Sequence, residues 1–471
     1  MQNKLKLKID KRSLLFIGLW SLLGLSLIIF LVLTTSLLRI NWIGNNLFKD
    51  PSDPNNTSLT YHNVKSQYGS IRIYSLTMTL GMITAVGFSL YNFYKKGLSS
   101  NDLAISIIFI IPSSLLGASF FGKLEDDQVR SFWELFAFWE GGLAIHGGVF
   151  AGTFVGIIVF YFIGRRTKVS LLVYGDAIIP NILLGQVIGR WGNFFNHEVL
   201  GAPVVKIADK IDQINDANID KLFGQYLQNH SRPLWLPDII LKNCLSVYNG
   251  ESTIINGVEL QKDNLVLLSP IFFYESVLLL VCWIVINFII PNIGRLFNKP
   301  LDQDQAFKID FKFSVAQFFV PWLKSTDQKI SYKDAWKKAL TNNTEDNAVE
   351  KYQIKKAEID ASSKHAIVKK WQTNELLLQL NNKNNYVLTR SGVAMFSYFM
   401  LWNVVRYVLE LTRSNDNLFI SNNKDLSLAI IGLSIVVGFI GIICSQYLFC
   451  RLFRKPGWLY EIEYFSVVKV K

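Results

Sequence analysis

The apolar residues of this chain come in blocks of about 20, seldom interrupted by a charge. About 20 helical residues, rising 1.5 Å each, cross roughly 30 Å of hydrocarbon. Such blocks cover approximately 13–38, 71–94, 103–121, 142–164, 171–191, 270–292, 391–412 and 426–449. They predict an all-α polytopic membrane protein with about eight transmembrane helices. With half of its residues apolar and only 18% charged, the chain fits that class better than a soluble domain.

Basic residues fix the expected sides. Five precede the first block, "YKKG" follows the second, "GRRTK" the fourth and "CRLFRK" the last, while the alternate loops are poorer in Lys and Arg. The positive-inside rule therefore predicts two cytoplasmic termini and reads the net charge of +12 as topology, with no nucleic-acid partner. Residues 1–40 read as a basic N-terminus and a retained anchor helix, whose apolar run is too long for a signal-peptide core. Residues 41–70 form an outer loop, and 71–200 the first part of the membrane core. Residues 201–269, with Pro203, Pro233 and Pro237, read as an extracytoplasmic arm of short strands and turns. After a helix at 270–292 comes a basic cytoplasmic insertion, 293–390, with 17 Lys and Arg against 11 Asp and Glu. Its stretches "YKDAWKKAL" and "EKYQIKKAEIDASSKHAIVKKW" suit either Trp-bearing helices lying on anionic lipid or a solvated helical hairpin. The last two helices, 391–450, lead to a cytoplasmic tail, 451–471. Cys282, Cys444 and Cys450 lie in or beside apolar runs and Cys244 stands alone, so no disulfide framework is expected.

Three packets of polar residues interrupt the apolar blocks. "WEGGLAIHGGVFAG" places Glu140 and His146 among glycines. "GRWGNFFNHEVLG" puts Arg190, Asn193, Asn196, His197 and Glu198 at the end of a span. "LWNVVRYVLELTR" repeats Trp402, Arg406, Glu410 and Arg413 on one helical face. Charges at membrane depth cost several kcal/mol and normally face an interior cavity. Each packet also has a structural reading. Arg190 alone is a snorkelling arginine, Arg406 with Glu410 an i,i+4 ion pair, and Tyr74 an interfacial aromatic. His146 is a packing histidine and Gly147–Gly148 a close helix contact. Taken together, two arginines with several amides suit a phosphate diester, which wants bidentate charge and hydrogen-bond donors.

"GRWGNFFNHEVLG" resembles the signature of the prolipoprotein diacylglyceryl transferases at every fixed position, from Gly189 and Arg190 through Asn193, Asn196 and Glu198 to Gly201. The His-Gly-Gly motif of that family is matched by His146, Gly147 and Gly148. Tyr74 matches the tyrosine of its first helix, and Arg406 with Glu410 its late Arg-x-x-x-Glu. Asp176, Pro180 and Gln186 also fit. "SPIFFYE" keeps Pro270, Tyr274 and Glu275 but carries Ser269 in place of a histidine. Ser119 stands for a usual arginine and Trp402 for a common tyrosine. The first block and the 293–390 insertion have no counterpart in the typical seven-helix member.

The resemblance implies transfer of diacylglyceryl from phosphatidylglycerol to the lipobox cysteine of a prolipoprotein, in a bacterial plasma membrane, at a site opening outward. It implies His146, Arg190, Arg406, Glu410 and Tyr74 as catalytic residues, and Arg190, Asn193, Asn196, Glu198, Gly201 and Arg406 as contacts to phosphatidylglycerol. Arg190 and Arg406 are expected to hold the phosphate, His146 to serve as base, and Glu198 and Glu410 to orient the arginines. No metal or other cofactor is expected. The alternative is a non-enzymatic lipid or anion transporter, and a weaker third reading is a membrane scaffold. Transporters commonly show repeated halves and broken helices, and neither is found in the sequence.

Overall fold

A computed structural model describes residues 46–48, 60–62, 67–68, 71–124, 131–137, 145–210, 216–248, 252–255, 257–298, 309–320, 322–326, 329–341, 343–411 and 423–467. Short strands β1 (Asn46–Phe48), β2 (Thr60–His62), β3 (Gln67–Tyr68) and β4 (Ile71–Arg72) come first. Helices α1 (Ile73–Lys96), α2 (Ser100–Lys123), α3 (Ile145–Thr167), α4 (Leu171–Ile178) and α5 (Ile182–Asn196) follow. The arm holds β5 (Pro203–Ala208), α6 (Asp216–Asn229), α7 (Asp238–Lys242), β6 (Leu245–Tyr248), β7 (Thr253–Ile255), β8 (Val258–Leu260) and β9 (Asn264–Leu268). Then come α8 (Ile271–Ile284), α9 (Phe311–Phe319), α10 (Tyr332–Thr341), α11 (Ala348–Ala361), α12 (Ala366–Leu380), α13 (Val393–Glu410) and α14 (Lys424–Ile443).

Among the described residues, six helical segments are long and apolar enough to cross a membrane: Ile73–Lys96, Ser100–Lys123, Gly147–Thr167, Leu171–Asn196, Ile271–Leu296 and Lys424–Leu452. They match six of the eight expected spans and make this a polytopic membrane protein. The expected anchor at 13–38 lies outside the described residues. The expected span at 391–412 is the 18-residue helix α13, which is absent from the six. Asn403, Arg406 and Glu410 lower the apolar character of its second half.

The chain divides into two compact units. One comprises Met1–Gly87, Asn181–Val285 and Tyr398–Gly438. Here the first half of α1 lies against α5 through glycine. A Cβ on Gly81 would sit 2.6 Å from the carbonyl oxygen of Gly185, and one on Gly192 would sit 2.4 Å from Thr77 Oγ1. Residues without a side chain let two backbones approach this closely. Helix α8 packs on α5, with Ser276 Oγ donating to the carbonyl of Val187 at 3.0 Å and Trp283 Nε1 to Asn181 Oδ1 at 3.1 Å.

The arm belongs to the same unit and holds short strands, as expected for 201–269. Its strands form an antiparallel five-stranded sheet in the order β1-β2-β6-β9-β5, paired at Thr60↔Ser246 and Leu245↔Leu267. Strands β1 and β2 come from the expected outer loop, so 41–70 and 201–269 share one sheet. Phe194, Phe195, Ile219, Phe223, Leu245 and Phe272 bury the arm against the end of α5 and the start of α8. Asn243 Nδ2 adds a hydrogen bond of 2.7 Å to the carbonyl of Phe194.

The second unit comprises Phe88–Pro180, Ile286–Ser397 and Phe439–Lys471. Helices α2 and α3 meet closely, a Cβ on Gly147 falling 2.4 Å from Gly117 O, while Ser114 Oγ donates to Gly148 O at 2.8 Å. Asp176 accepts the backbone N–H groups of Gly392 at 2.7 Å and Met395 at 2.8 Å, capping the start of α13. The insertion and the tail, expected as separate pieces, share a core: Tyr352, Leu376, Leu377 and Leu380 pack with Cys450, Tyr460 and Tyr464. Between them Glu461 binds Arg390 Nη1 at 2.5 Å and Arg454 Nη2 at 2.7 Å. Burial pushes the Glu461 carboxyl up, but the two guanidiniums overcome it and hold the group at about 2. Trp336 of "YKDAWKKAL" is buried against Tyr386, so it does not lie on lipid. The longer basic stretch is two helices, α11 and α12, broken between Ser362 and His365.

Candidate active site

The end of α5 builds one side of the site. The helix closes on His197 in the left-handed region (φ +56°), and Val199 takes φ +59° two residues later. Non-glycine residues rarely adopt that conformation, and such positions concentrate where a turn is functionally constrained. The turn swings Glu198 back so that its carboxylate accepts from Asn193 Nδ2 at 3.2 Å and from Asn196 Nδ2 at 3.3 Å. Asn193 Oδ1 in turn takes a long contact of 3.5 Å from Arg190 Nη1. The packet of donors and acceptors at the end of this span is therefore one connected network.

The strongest contact of Arg190 comes from elsewhere. Its Nη2 lies 2.6 Å from Glu275 Oε1 of α8, whose side chain is only 2% exposed. Glu198 was expected to orient Arg190, but it is exposed and reaches the arginine only through Asn193. Glu275 holds the guanidinium instead. The sequence marks Glu275 as a candidate, though not its partner, since it is the lone charge in the apolar run 265–286.

On α13, Arg406 Nε lies 3.1 Å from Glu410 Oε2, and the Glu410 side chain is fully buried. The contact is an ion pair without hydrogen-bond alignment. Arg406 also lies within electrostatic range of Glu275 and Arg190. Tyr74 of α1 lies within range of Glu198 and Arg190. Its ring is brought close to α5 by Gly192, where a Cβ would approach Tyr74 Cδ2 to 2.8 Å. Two cations, two buried carboxylates and a tyrosine, drawn from four helices of one unit, thus share one neighbourhood. Such a cluster suits a group of diffuse negative charge such as a phosphate diester.

Residues 64–331 match the prolipoprotein diacylglyceryl transferase family. The chain belongs to that family. It is a multi-pass membrane transferase of bacterial type. The phosphatidylglycerol–prolipoprotein diacylglyceryl transferase of Oceanobacillus iheyensis is 29% identical over 259 residues, 54% of this chain and 74% of the relative. The protein of the same name from Mycoplasmopsis pulmonis is 30% identical over 238 residues, covering 49% and 62%. That from Streptococcus pneumoniae is 32% identical over 163 residues, covering 34% and 59%. The chain thus spans between about three fifths and three quarters of these relatives. The family match includes Tyr74, His146, the α5 signature and Glu275, and ends before Arg406 and Glu410.

Other expected site residues fall differently. Gly201 donates its N–H to Ser269 O at 2.8 Å, and a Cβ there would sit 2.7 Å from Ile271 Cδ1. These contacts seat the arm on α8 and commit the Gly201 amide to Ser269. Gly147 and Gly148 bring α2 and α3 together, as in the packing reading. His146 lies in the first turn of α3, in the second unit, and its side chain is outside the described residues, as are Glu140 and Arg413. Ser119 is fully buried with no hydrogen-bond partner for its hydroxyl. Gln186 hydrogen-bonds Tyr398 of α13. Among the described residues, no cluster of His, Cys, Asp and Glu is arranged to hold a metal.

Proposed function

We propose that this chain transfers the diacylglyceryl group of phosphatidylglycerol to the lipobox cysteine thiol of a prolipoprotein. The thiolate sulfur attacks the glyceryl carbon that carries the phosphate ester. A carbon–sulfur bond forms, the carbon–oxygen bond breaks, and glycerol phosphate leaves with the electron pair. Both termini are cytoplasmic, and the site opens to the outer side.

The observation that carries this reading is the placing of Arg190 and Arg406 in one electrostatic neighbourhood, each held by a buried glutamate. Cations already aimed at the leaving phosphate stabilise its growing charge without reorganising during the reaction. Glu275 and Glu410 fix the guanidiniums, and Tyr74 supplies a hydroxyl beside Arg190. Asn193 and Asn196 donate to Glu198, so their part is to hold the turn that carries the carboxylate as well as to face the lipid. An ordinary thiol of pKa ~8.5 is only a few per cent ionised at neutral pH, so a base assists. His146 is assigned that role on the His-Gly-Gly motif. Family membership does not favour the transporter alternative, and the same arginines would there bind phosphate without bond cleavage.

The test uses the purified full chain, labelled phosphatidylglycerol and a lipobox peptide. A thioether-linked lipid on the peptide, lost in Arg190→Ala, is the expected result. Binding of the labelled lipid with no modified peptide would overturn the proposal.

A further inference from the structure

A cavity lies in the other unit, where none of Tyr74, Arg190, Glu275, Arg406 or Glu410 takes part. The last turn of α3, the start of α4 and the segment from Phe449 to Lys455 enclose a cavity of about 520 Å³. Two candidate spans end at this cavity, at Thr167 and Leu452, and a third begins at Leu171. The cavity is therefore built at a boundary between hydrocarbon and water. Its volume falls within the few hundred to ~1,000 Å³ usual for small-molecule sites, enough for a polar headgroup and the first methylenes of its chains.

The charge of the lining has one sign. Arg165, Lys370, Arg454 and Lys455 line the cavity, and no Asp or Glu does. Each cation lies over an aromatic ring that also lines it. Arg165 sits 4.7 Å from the ring centre of Tyr161, and Lys370 5.1 Å from that of Phe453. Lys455 lies 4.9 Å from the ring centre of Trp458, and Arg454 4.2 Å from that of Tyr460. Such contacts orient a cation but leave its charge unneutralised. Among the described residues, Arg165, Lys370 and Lys455 have no carboxylate partner. Arg454 is bound through Nη2 to Glu461, yet its buried Nη1 has no hydrogen-bond partner, although the side chain is only 3% exposed. Arg454 therefore contributes positive charge to the cavity wall, and the exposed Arg165, Lys370 and Lys455 are the cations a ligand can reach. The remaining walls, from Val169, Leu171, Leu172 and Leu452, are apolar and suit acyl chain.

We propose that this cavity binds an anionic glycerophospholipid from the leaflet facing these basic helix ends, its phosphate among the four cations and its upper chains against the apolar wall. Basic pockets between membrane helices commonly hold such headgroups. The lipid would join α3, α4 and the tail, which the Glu461 cluster ties to the insertion, and so would act as a structural ligand of this unit.

The experiment counts lipids retained by the purified full chain in native mass spectrometry, titrating phosphatidylglycerol, phosphatidylcholine or glycerol phosphate. Arg165, Lys370 and Lys455 are exposed, so Arg165→Ala, Lys370→Ala and Lys455→Ala can be combined without disturbing a core. Each basic residue near a membrane surface is worth about fivefold, so one bound phosphatidylglycerol should weaken by roughly a hundredfold in the triple variant. Leu172→Trp, which keeps every charge but fills the cavity, should lose the same lipid. Arg190→Ala should lose a different one, so that combining it with the triple variant removes both. Equal retention in the triple variant, retention in Leu172→Trp, or equal binding of phosphatidylcholine would overturn the proposal. Competition by glycerol phosphate would do so too, by showing a site for free anions.

Discussion

Removing Glu275 is the sharpest probe of how the site works. Its carboxylate lies 2.6 Å from Arg190 Nη2 and is 2% exposed, whereas the Arg190 side chain is 24% exposed. Breaking a buried ion pair on one side typically costs 3–5 kcal/mol, because the remaining charge is left unpaired. Water reaches part of this guanidinium, so about 2–3 kcal/mol of stability is expected to go in Glu275→Ala. The catalytic loss should be larger relative to its cause. A charge-stabilising donor that is no longer aimed costs about 10²–10³ in rate, near 3–4 kcal/mol of transition-state stabilisation. Glu275→Gln keeps the shape and one acceptor for the guanidinium, so its loss should be about tenfold. Glu198→Ala should cost less than Glu275→Ala, since Glu198 is exposed and touches the arginine only through Asn193. The assay is kcat/KM for labelled phosphatidylglycerol and lipobox peptide, alongside a melting curve of the inserted protein. A well-inserted Glu275→Ala variant within threefold of wild type would refute the assignment of Glu275 as the group that aims Arg190.

Arg406→Met combined with Glu410→Leu should insert and fold, since buried ion pairs add little net stability, yet transfer no lipid; ordinary turnover would leave the pair structural. Arg190→Lys should fail to restore transfer, because a point charge lacks the planar fork that grips a phosphate, and near-normal product from labelled lipid would return Arg190 to a snorkelling role. Gly192→Ala puts a Cβ 2.4 Å from Thr77 Oγ1 and 2.8 Å from Tyr74 Cδ2, so a stability loss of about 1–3 kcal/mol is expected from overpacking, read as a lower Tm. Glu461 is held at about 2 in the folded chain, below its ordinary ~4.3. Its contribution is therefore complete above roughly pH 5 and lost as pH falls through about 2, because the unfolded chain takes up the proton first. Melting between pH 6 and pH 3 should show that slope, and Glu461→Gln should flatten it.

How much of this was legible in the sequence differs between elements. Six spans could be read directly, because crossing hydrocarbon needs a length of apolar residues and little else. The α5 packet was equally legible, since charge and amides at a helix end violate that same rule. Pairings across elements were not. Nothing in the spacing of "PIFFYES" says that Glu275 meets Arg190, 85 positions earlier, because the contact depends on how α8 packs on α5. The same holds for β1 and β2. Strands pair through backbone groups common to all residues, so their place beside β6 is set by the sheet. Local pattern also left Trp336 open. Lys and Trp at helical spacing suit a lipid surface as well as a small core, and only packing against Tyr386 chose between them. The sequence by itself determined that the chain enters the membrane and carries a phosphate-ready arginine motif. Tertiary structure decided which carboxylates hold the arginines, which loop completes the sheet, and that the insertion and tail form one core. The reason is that apolar transfer is a property of a segment, whereas an ion pair, a strand ladder and a packed core each need two segments to meet.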